Sequence, residues 1–170
     1  MTDSKKQSAC TVSIQIQTEP FPIDRAKIRR AVQRILRQFG VRNAWTEIAV
    51  TDDALMRKLH KDYFGDAETT DVISFDLSGR DQCPRCFQIL VNAEQAARQA
   101  DQRERGHSPQ AELMLYIVHG LLHQLGFDDT DAEQAAKMHH AEDQILNQLG
   151  FGTVYAAPVK PAKTRRKKRE

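Results

Sequence analysis

Two histidines four residues apart are the feature of this 170-residue chain with the clearest chemical potential. His119 and His123 lie in a stretch that we predict to be helical, where side chains at this spacing share a face with Cβ atoms about 5–6 Å apart. Two imidazoles at that separation can bind one Zn²⁺ ion. The flanking residues are apolar, so we do not expect either histidine to lie on a fully solvent-exposed face. The spacing therefore predicts a metal site.

The residues after the pair predict a third ligand. Gly126 can adopt a left-handed conformation that ends the helix and turns the chain back. Asp129 then stands where a ligand can approach from another direction, and Asp128 is its competitor. Three protein ligands leave one zinc position for water, which is typical of a catalytic site. We therefore predict that His119, His123 and Asp129 bind one Zn²⁺ per chain.

Two alternatives to a catalytic zinc site follow from the same residues. The spacing of the histidines, the glycine and the aspartate is similar to that of the metzincin metalloproteases, whose general base is a glutamate directly after the first histidine. Here that position is Gly120, which disfavours a peptidase. The other alternative is a structural histidine pair whose hydrogen bonds are satisfied in the core.

Further metal-ligating residues lie outside this stretch. His139 and His140, in the last predicted helix, are the alternative metal ligands if Asp129 does not bind the ion. Cys83 and Cys86 form half of a zinc ribbon without a second half. Incidental thiols, a redox pair and a second metal site remain open for them.

The elements that must position these residues follow from hydrophobic periodicity and turn signals. Strands and helices mix without strict alternation, which predicts an α+β domain with one small sheet. Predicted strands cover residues 11–17, 45–50, 71–77 and 87–91. Predicted helices follow the N-caps Asp24, Thr51, Asn92, Ser108 and Thr130, with Leu55, Leu59 and Tyr63 facing inward from the second.

Composition and charge indicate the cellular compartment and the kinds of binding partner. No apolar run approaches the roughly 18 residues that span a bilayer, residues 2–8 are all polar, and three cysteines do not make a disulfide framework. We therefore expect a cytoplasmic protein with no membrane partner. Seven basic residues and one acid give the last eleven residues a net charge of +6, which leaves −4 for the rest because the whole chain carries +2. We predict that Arg165, Arg166, Lys167, Lys168 and Arg169 bind RNA phosphates; the alternative is a solvated end without a role.

Two ordered motifs give the chain a resemblance to a known family. The stretch from His119 to Asp128 resembles the signature of the YbeY family, bacterial endoribonucleases of ribosomal RNA maturation. The stretch from Thr70 to Phe75 is similar to a strand motif of the same family, and Tyr63 lies at the usual distance before it. The resemblance covers about residues 12–150.

The resemblance implies a fold, an activity and partners. It implies a mixed four-stranded sheet packed with helices, one of them a metzincin-like zinc helix, and a zinc ion bound by His119 and His123. It also implies zinc-dependent cleavage of single-stranded RNA in small-subunit ribosomal RNA maturation and ribosome quality control. The implied partners are ribosomal RNA, small-subunit ribosomal proteins and a ribosome-associated GTPase. From the resemblance together with the composition of the two ends we expect a flexible N-terminus over 1–10, a single YbeY-like metal-dependent domain over 11–152 and a basic, disordered tail over 153–170.

Two departures from the family pattern define the main alternative. The family's third ligand is usually a histidine where this chain has Asp129, and an arginine usually follows the tyrosine that matches Tyr63, where this chain has Phe64. Phenylalanine can stack on a base but cannot stabilise charge on a phosphate. The alternative is therefore a catalytically weakened, zinc-stabilised ribosome-assembly or RNA-binding factor. No general base is identifiable, so the catalytic residues remain unassigned.

Overall fold

The computed structural model describes residues 10–66, 68–79, 85–102 and 107–155. Within these ranges four strands and five helices follow one another along the chain. Their bounds are β1 Cys10–Ile16, α1 Arg25–Gln38, β2 Ala44–Thr51, α2 Asp53–Phe64, β3 Val72–Asp76, β4 Cys86–Asn92, α3 Ala93–Gln102, α4 Pro109–Gln124 and α5 Ala132–Gln148.

The strands form one sheet in the order β1-β2-β4-β3. The first three are parallel, and β3 pairs antiparallel with β4 at the edge. The predicted α+β class with a small mixed four-stranded sheet is confirmed.

Alternation along the strands gives the sheet two different faces. Ile48, Phe87 and Ile89 point into the main core with α1, α4 and α5, and are 0–2% exposed. Each such side chain stabilises the fold by about 1.5–3 kcal/mol through apolar burial. On the other face a smaller cluster forms where α2 covers β3 and β4, with Met56 fully buried against Ile73 and Leu90. The predicted inward position of Tyr63 on α2 is wrong, because the residue is 62% exposed.

Three of the predicted helix caps are confirmed and two are wrong. Asp24, Asn92 and Ser108 each accept a hydrogen bond from a backbone N–H in the first turn of the following helix. Two aspartates, Asp52 and Asp131, take the places predicted for the threonines that precede them. A carboxylate is the stronger acceptor at a helix N-terminus.

Both threonines are used elsewhere. Thr51 is the last residue of β2, and its hydroxyl donates to the Val91 carbonyl at 3.2 Å. Thr130 donates its hydroxyl to the Asp128 carboxylate at 3.0 Å. Each hydroxyl therefore has a partner outside the helix that it was predicted to cap.

Gly120 sets the distance between α4 and the sheet. A Cβ atom added there would lie 2.9 Å from Val72 Cγ2 and 3.0 Å from Ile89 Cγ2, closer than van der Waals contact allows. The glycine therefore lets α4 pack directly on β3 and β4. It also shows why the position holds no glutamate, since a side chain there would run into the sheet.

Candidate metal centre

Helix α4 carries both histidines, and most of its residues are buried. Ser108 caps it, and eleven of its sixteen residues are buried. His119 and His123 keep 23% and 30% of their side chains exposed. The two rings are therefore held by a rigid, core-packed helix and still reach solvent on one side.

The turn after α4 brings one aspartate back to the histidines. Gly126 has a φ of +95°, a left-handed conformation, and the Phe127 N–H donates to the Leu122 carbonyl at 3.0 Å. The Asp128 carboxylate then accepts hydrogen bonds from the backbone N–H groups of Asp129 and Thr130, at 2.8 and 3.2 Å, and from the Thr130 hydroxyl. The Thr130 hydroxyl is the main cause that holds the pKa of Asp128 below its ordinary value. Asp128 thus shapes the turn.

The structure brings Asp129, and not Asp128, up to the two histidines. The Nε2 atoms of His119 and His123 lie 3.0 Å apart. The Asp129 carboxylate oxygens lie 3.7 Å from His119 Nε2 and 3.8 Å from His123 Nε2. Among the described residues these three form the one group of histidine, cysteine and acidic side chains that could hold a metal ion.

Hydrogen bonds fix which nitrogen of each ring faces the centre. His119 Nδ1 lies 2.6 Å from Glu142 Oε1, and His123 Nδ1 lies 3.2 Å from the Phe127 carbonyl oxygen. A carbonyl and a carboxylate can only accept, so both Nδ1 atoms carry the proton. In the neutral rings both Nε2 atoms then present lone pairs to each other at 3.0 Å, which is repulsive unless a cation lies between them.

The donor set fits zinc. A tetrahedral zinc site with bonds of about 2.0–2.1 Å places its ligand atoms about 3.3–3.4 Å apart. Here the two nitrogens lie 3.0 Å apart, each is 3.7–3.8 Å from a different oxygen of Asp129, and one ligand atom from each residue lies within 4.8 Å of the other two, which is close to that geometry. Two imidazoles and one carboxylate also form a donor set that zinc commonly takes, with a fourth position left for water or substrate.

Glu142 is the residue of this site that the sequence reasoning missed. It lies on α5, is 0% exposed, and its second oxygen has no hydrogen-bond partner among the described residues. Burial of the His119 ring acts to lower its pKa, but the hydrogen bond and charge of Glu142, with the charges of Asp71 and Asp129, outweigh it and raise that pKa. A signal existed: position 142 lies four residues after Met138 and three before Ile145, on the apolar face of the helix.

The other candidate residues lie apart from this centre. His139 stacks on Tyr155 with ring centroids 3.9 Å apart, and His140 contacts Gln144. Phe64 ends α2 across the sheet, 62% exposed beside the ring of His60. The residues from Arg165 to Arg169 lie outside the described residues, as does Cys83.

Comparisons with known proteins decide the family. The profile of the endoribonuclease YbeY family matches residues 13–150. The chain belongs to the YbeY family. It is 32% identical to the endoribonuclease YbeY of Bacillus licheniformis over 152 residues, which cover 82% of this chain and 95% of the relative. It is 35% identical to that of Roseiflexus sp. over 163 residues, which cover 89% and 98%.

A solved structure supports the fold. A Thermotoga maritima protein solved in solution matches with a TM-score of 0.52 and 17% sequence identity, covering 82% of this chain and 89% of that one. The expected family and its enzyme class, an endoribonuclease that hydrolyses phosphodiester bonds, are confirmed. That the three residues bind metal stays a prediction. In the part of the chain that the structure describes, no helix has the length and apolar character to cross a membrane.

Proposed function

We propose that this YbeY-family chain is a zinc-dependent endoribonuclease that cleaves single-stranded RNA during small-subunit ribosomal RNA maturation and ribosome quality control. One observation carries the proposal. Two imidazole nitrogens with fixed lone pairs and one carboxylate converge on a single, partly exposed point in a chain whose relatives are named endoribonucleases. When bound there, zinc supplies a Lewis acid that polarises a phosphate oxygen or lowers the pKa of a water molecule.

The side chains around the centre have separate tasks. His119, His123 and Asp129 would hold the ion, and Glu142 orients the His119 ring through its Nδ1–H. The hydrogen bond from the Asp129 N–H to the Asp128 carboxylate fixes the turn that brings Asp129 to the two histidines. The Asp129 charge partly neutralises the ion, so a bound water would be less acidic than it is with three neutral histidines.

The wider setting of the proposal comes from family resemblance and from charge. The partners would be ribosomal RNA, small-subunit ribosomal proteins and a ribosome-associated GTPase in the cytoplasm. The basic residues from Arg165 to Arg169 would attract RNA phosphates, with an affinity that falls steeply as salt rises.

A catalytically weakened assembly or RNA-binding factor is the second candidate, and Phe64 favours it. This residue is 62% exposed at the end of α2, where an arginine would offer a cation to a phosphate. A phenyl ring offers only stacking. This candidate keeps the metal as a structural element and loses most of the turnover.

The discriminating experiment is cleavage of a labelled single-stranded RNA by the natural protein, His119→Ala and His140→Ala, each with and without a chelator. His140 is the matched control because it is an exposed histidine outside the metal group. The nuclease is supported if the natural protein and His140→Ala both cleave the RNA, and if cleavage is lost in His119→Ala and in the presence of chelator. Equal cleavage by all three proteins contradicts it. Zinc binding without cleavage favours the assembly factor.

A further inference from the structure

A polar cavity of about 410 Å³ adjoins the candidate metal centre. Its walls come from the segment before β3, from α3, from α4 and from Tyr155 near the end of the described chain. His119 belongs to both the cavity and the metal group. A group bound in the cavity therefore lies next to whatever is bound at the metal.

The charges of the wall favour a ligand that donates hydrogen bonds. Two carboxylates line the cavity, Asp71 and Glu112, and no lysine or arginine does so among the described residues. Glu112 is 1% exposed and its Oε2 lies 3.1 Å from His107 Nδ1. Asp71 Oδ1 accepts from the Val72 N–H at 2.8 Å and from the Thr70 hydroxyl at 3.1 Å. Asp71 Oδ2 accepts from no described residue, so it is available to a ligand.

Tyr155 gives the cavity an aromatic wall. The backbone N–H groups of Val154 and Tyr155 both donate to Asp143 Oδ1, at 2.6 and 3.1 Å, and Asp143 is 5% exposed. The Tyr155 ring stacks on His139 at an angle of 11° and still keeps 43% of the residue exposed. The ring is therefore held in place beside the cavity.

We propose that this cavity binds the base of one unpaired nucleotide, with the base stacked on Tyr155 and its exocyclic amino group donating to Asp71. The inference rests on the proposed function, since it places the phosphate next to that base at the metal centre. A phosphate itself is disfavoured inside, because it would face two carboxylates. Bases that carry an exocyclic amino group are preferred over uracil, whose corresponding edge presents a carbonyl oxygen to the carboxylate.

Cytidine and uridine form the matched pair of probes, because the two rings have the same size and differ only at positions 3 and 4: cytosine has a ring-nitrogen acceptor and an amino donor, and uracil has an N–H donor and a carbonyl acceptor. Binding of each nucleoside is measured by ligand-observed NMR on the full-length protein in chelator, so that neither zinc nor cleavage is required. The natural protein should bind cytidine more tightly than uridine. Tyr155→Ala should weaken both by at least about fivefold, the lower end of what one base–aromatic stack contributes. Tyr155→Phe should retain binding.

Two further variants complete the test: one removes the charge of Asp71, and the other is a control that removes an aromatic ring elsewhere. Asp71→Asn should remove the preference for cytidine, because an amide can donate as well as accept. Trp45→Ala removes an aromatic side chain of similar exposure, 52%, from β2, outside the cavity lining, and should change nothing. Equal binding of the two nucleosides by the natural protein, no binding of either, or no effect of Tyr155→Ala overturns the proposal. If the protein binds the nucleosides as predicted but does not cleave RNA, that result contradicts the proposed function and leaves the nucleotide-binding proposal standing.

Discussion

Replacing Glu142 by glutamine tests how the centre is held together. The carboxylate is fully buried and lies 2.6 Å from His119 Nδ1, so it fixes the ring's tautomer and orientation. Glutamine keeps the size but removes the charge, and its amide can turn its NH₂ group toward the ring. Loss of such a partner of a metal-bound histidine typically costs about 10–100-fold in metal affinity, or about 1.4–2.7 kcal/mol. We predict a loss of that size for zinc in Glu142→Gln.

The assay is a competition titration with a chromogenic zinc chelator, with Glu133→Gln as control. Glu133 lies on the same helix, has a side chain that is 80% exposed and pairs with Lys137 at the surface. A second readout is the His119 pKa in metal-free protein, followed by NMR. Because Glu142 raises that pKa against the effect of burial, its removal should lower it. Zinc affinity within twofold of the natural protein together with an unchanged His119 pKa would show that Glu142 does not hold the His119 ring for the metal.

Three other substitutions follow from the structure. Gly120→Ala should destabilise the protein by about 1–3 kcal/mol in urea unfolding, because the new Cβ overlaps Val72 and Ile89. Arg98→Gln should cost about 0.5–1 kcal/mol at neutral pH, since the Arg98 guanidinium makes a two-pronged pair with Asp53 and is partly exposed. That pair is the main cause of the lowered pKa of Asp53, so its stabilisation is present above the ordinary pKa of 3.8 and is lost as pH falls below it. Phe64→Arg should raise RNA cleavage severalfold or more without changing zinc content, because it adds a cation for phosphate at the exposed end of α2.

Each of these has a result that would count against it. Unchanged urea midpoints for Gly120→Ala would mean that α4 does not pack as closely as described. If the stability difference between the natural protein and Arg98→Gln were as large at pH 2 as at pH 7, the Arg98–Asp53 ion pair would not be the cause of that difference. If Phe64→Arg cleaved no faster, the missing arginine would not limit turnover, and the assembly-factor alternative would lose its main support.

The sequence predicted the elements well where local chemistry decides them. Apolar alternation in the first strand and β-forming residues in the later ones located all four strands. Asp24, Asn92 and Ser108 cap helices as expected because each is followed by an unsatisfied backbone N–H. Thr51 failed as a cap because its hydroxyl meets the Val91 carbonyl across the sheet. That contact joins residues 40 positions apart, and local patterns do not contain it.

The candidate site was predictable only in part for the same reason. The spacing of His119 and His123 and the turn at Gly126 are local, and the structure brings both histidines together with Asp129. Glu142 reaches His119 from another helix, 23 residues further along the chain, and Tyr155 reaches the cavity by folding back over α5. Such contacts depend on how helices pack, which single-sequence periodicity does not give.

The most direct test of the metal centre is an anomalous-difference map at the zinc edge from crystals of the zinc-loaded protein. We predict one peak, within about 2.0–2.2 Å of His119 Nε2, His123 Nε2 and an Asp129 oxygen. A peak that sits instead at His139 and His140, or no peak at the three residues in a protein shown to contain zinc, would contradict it.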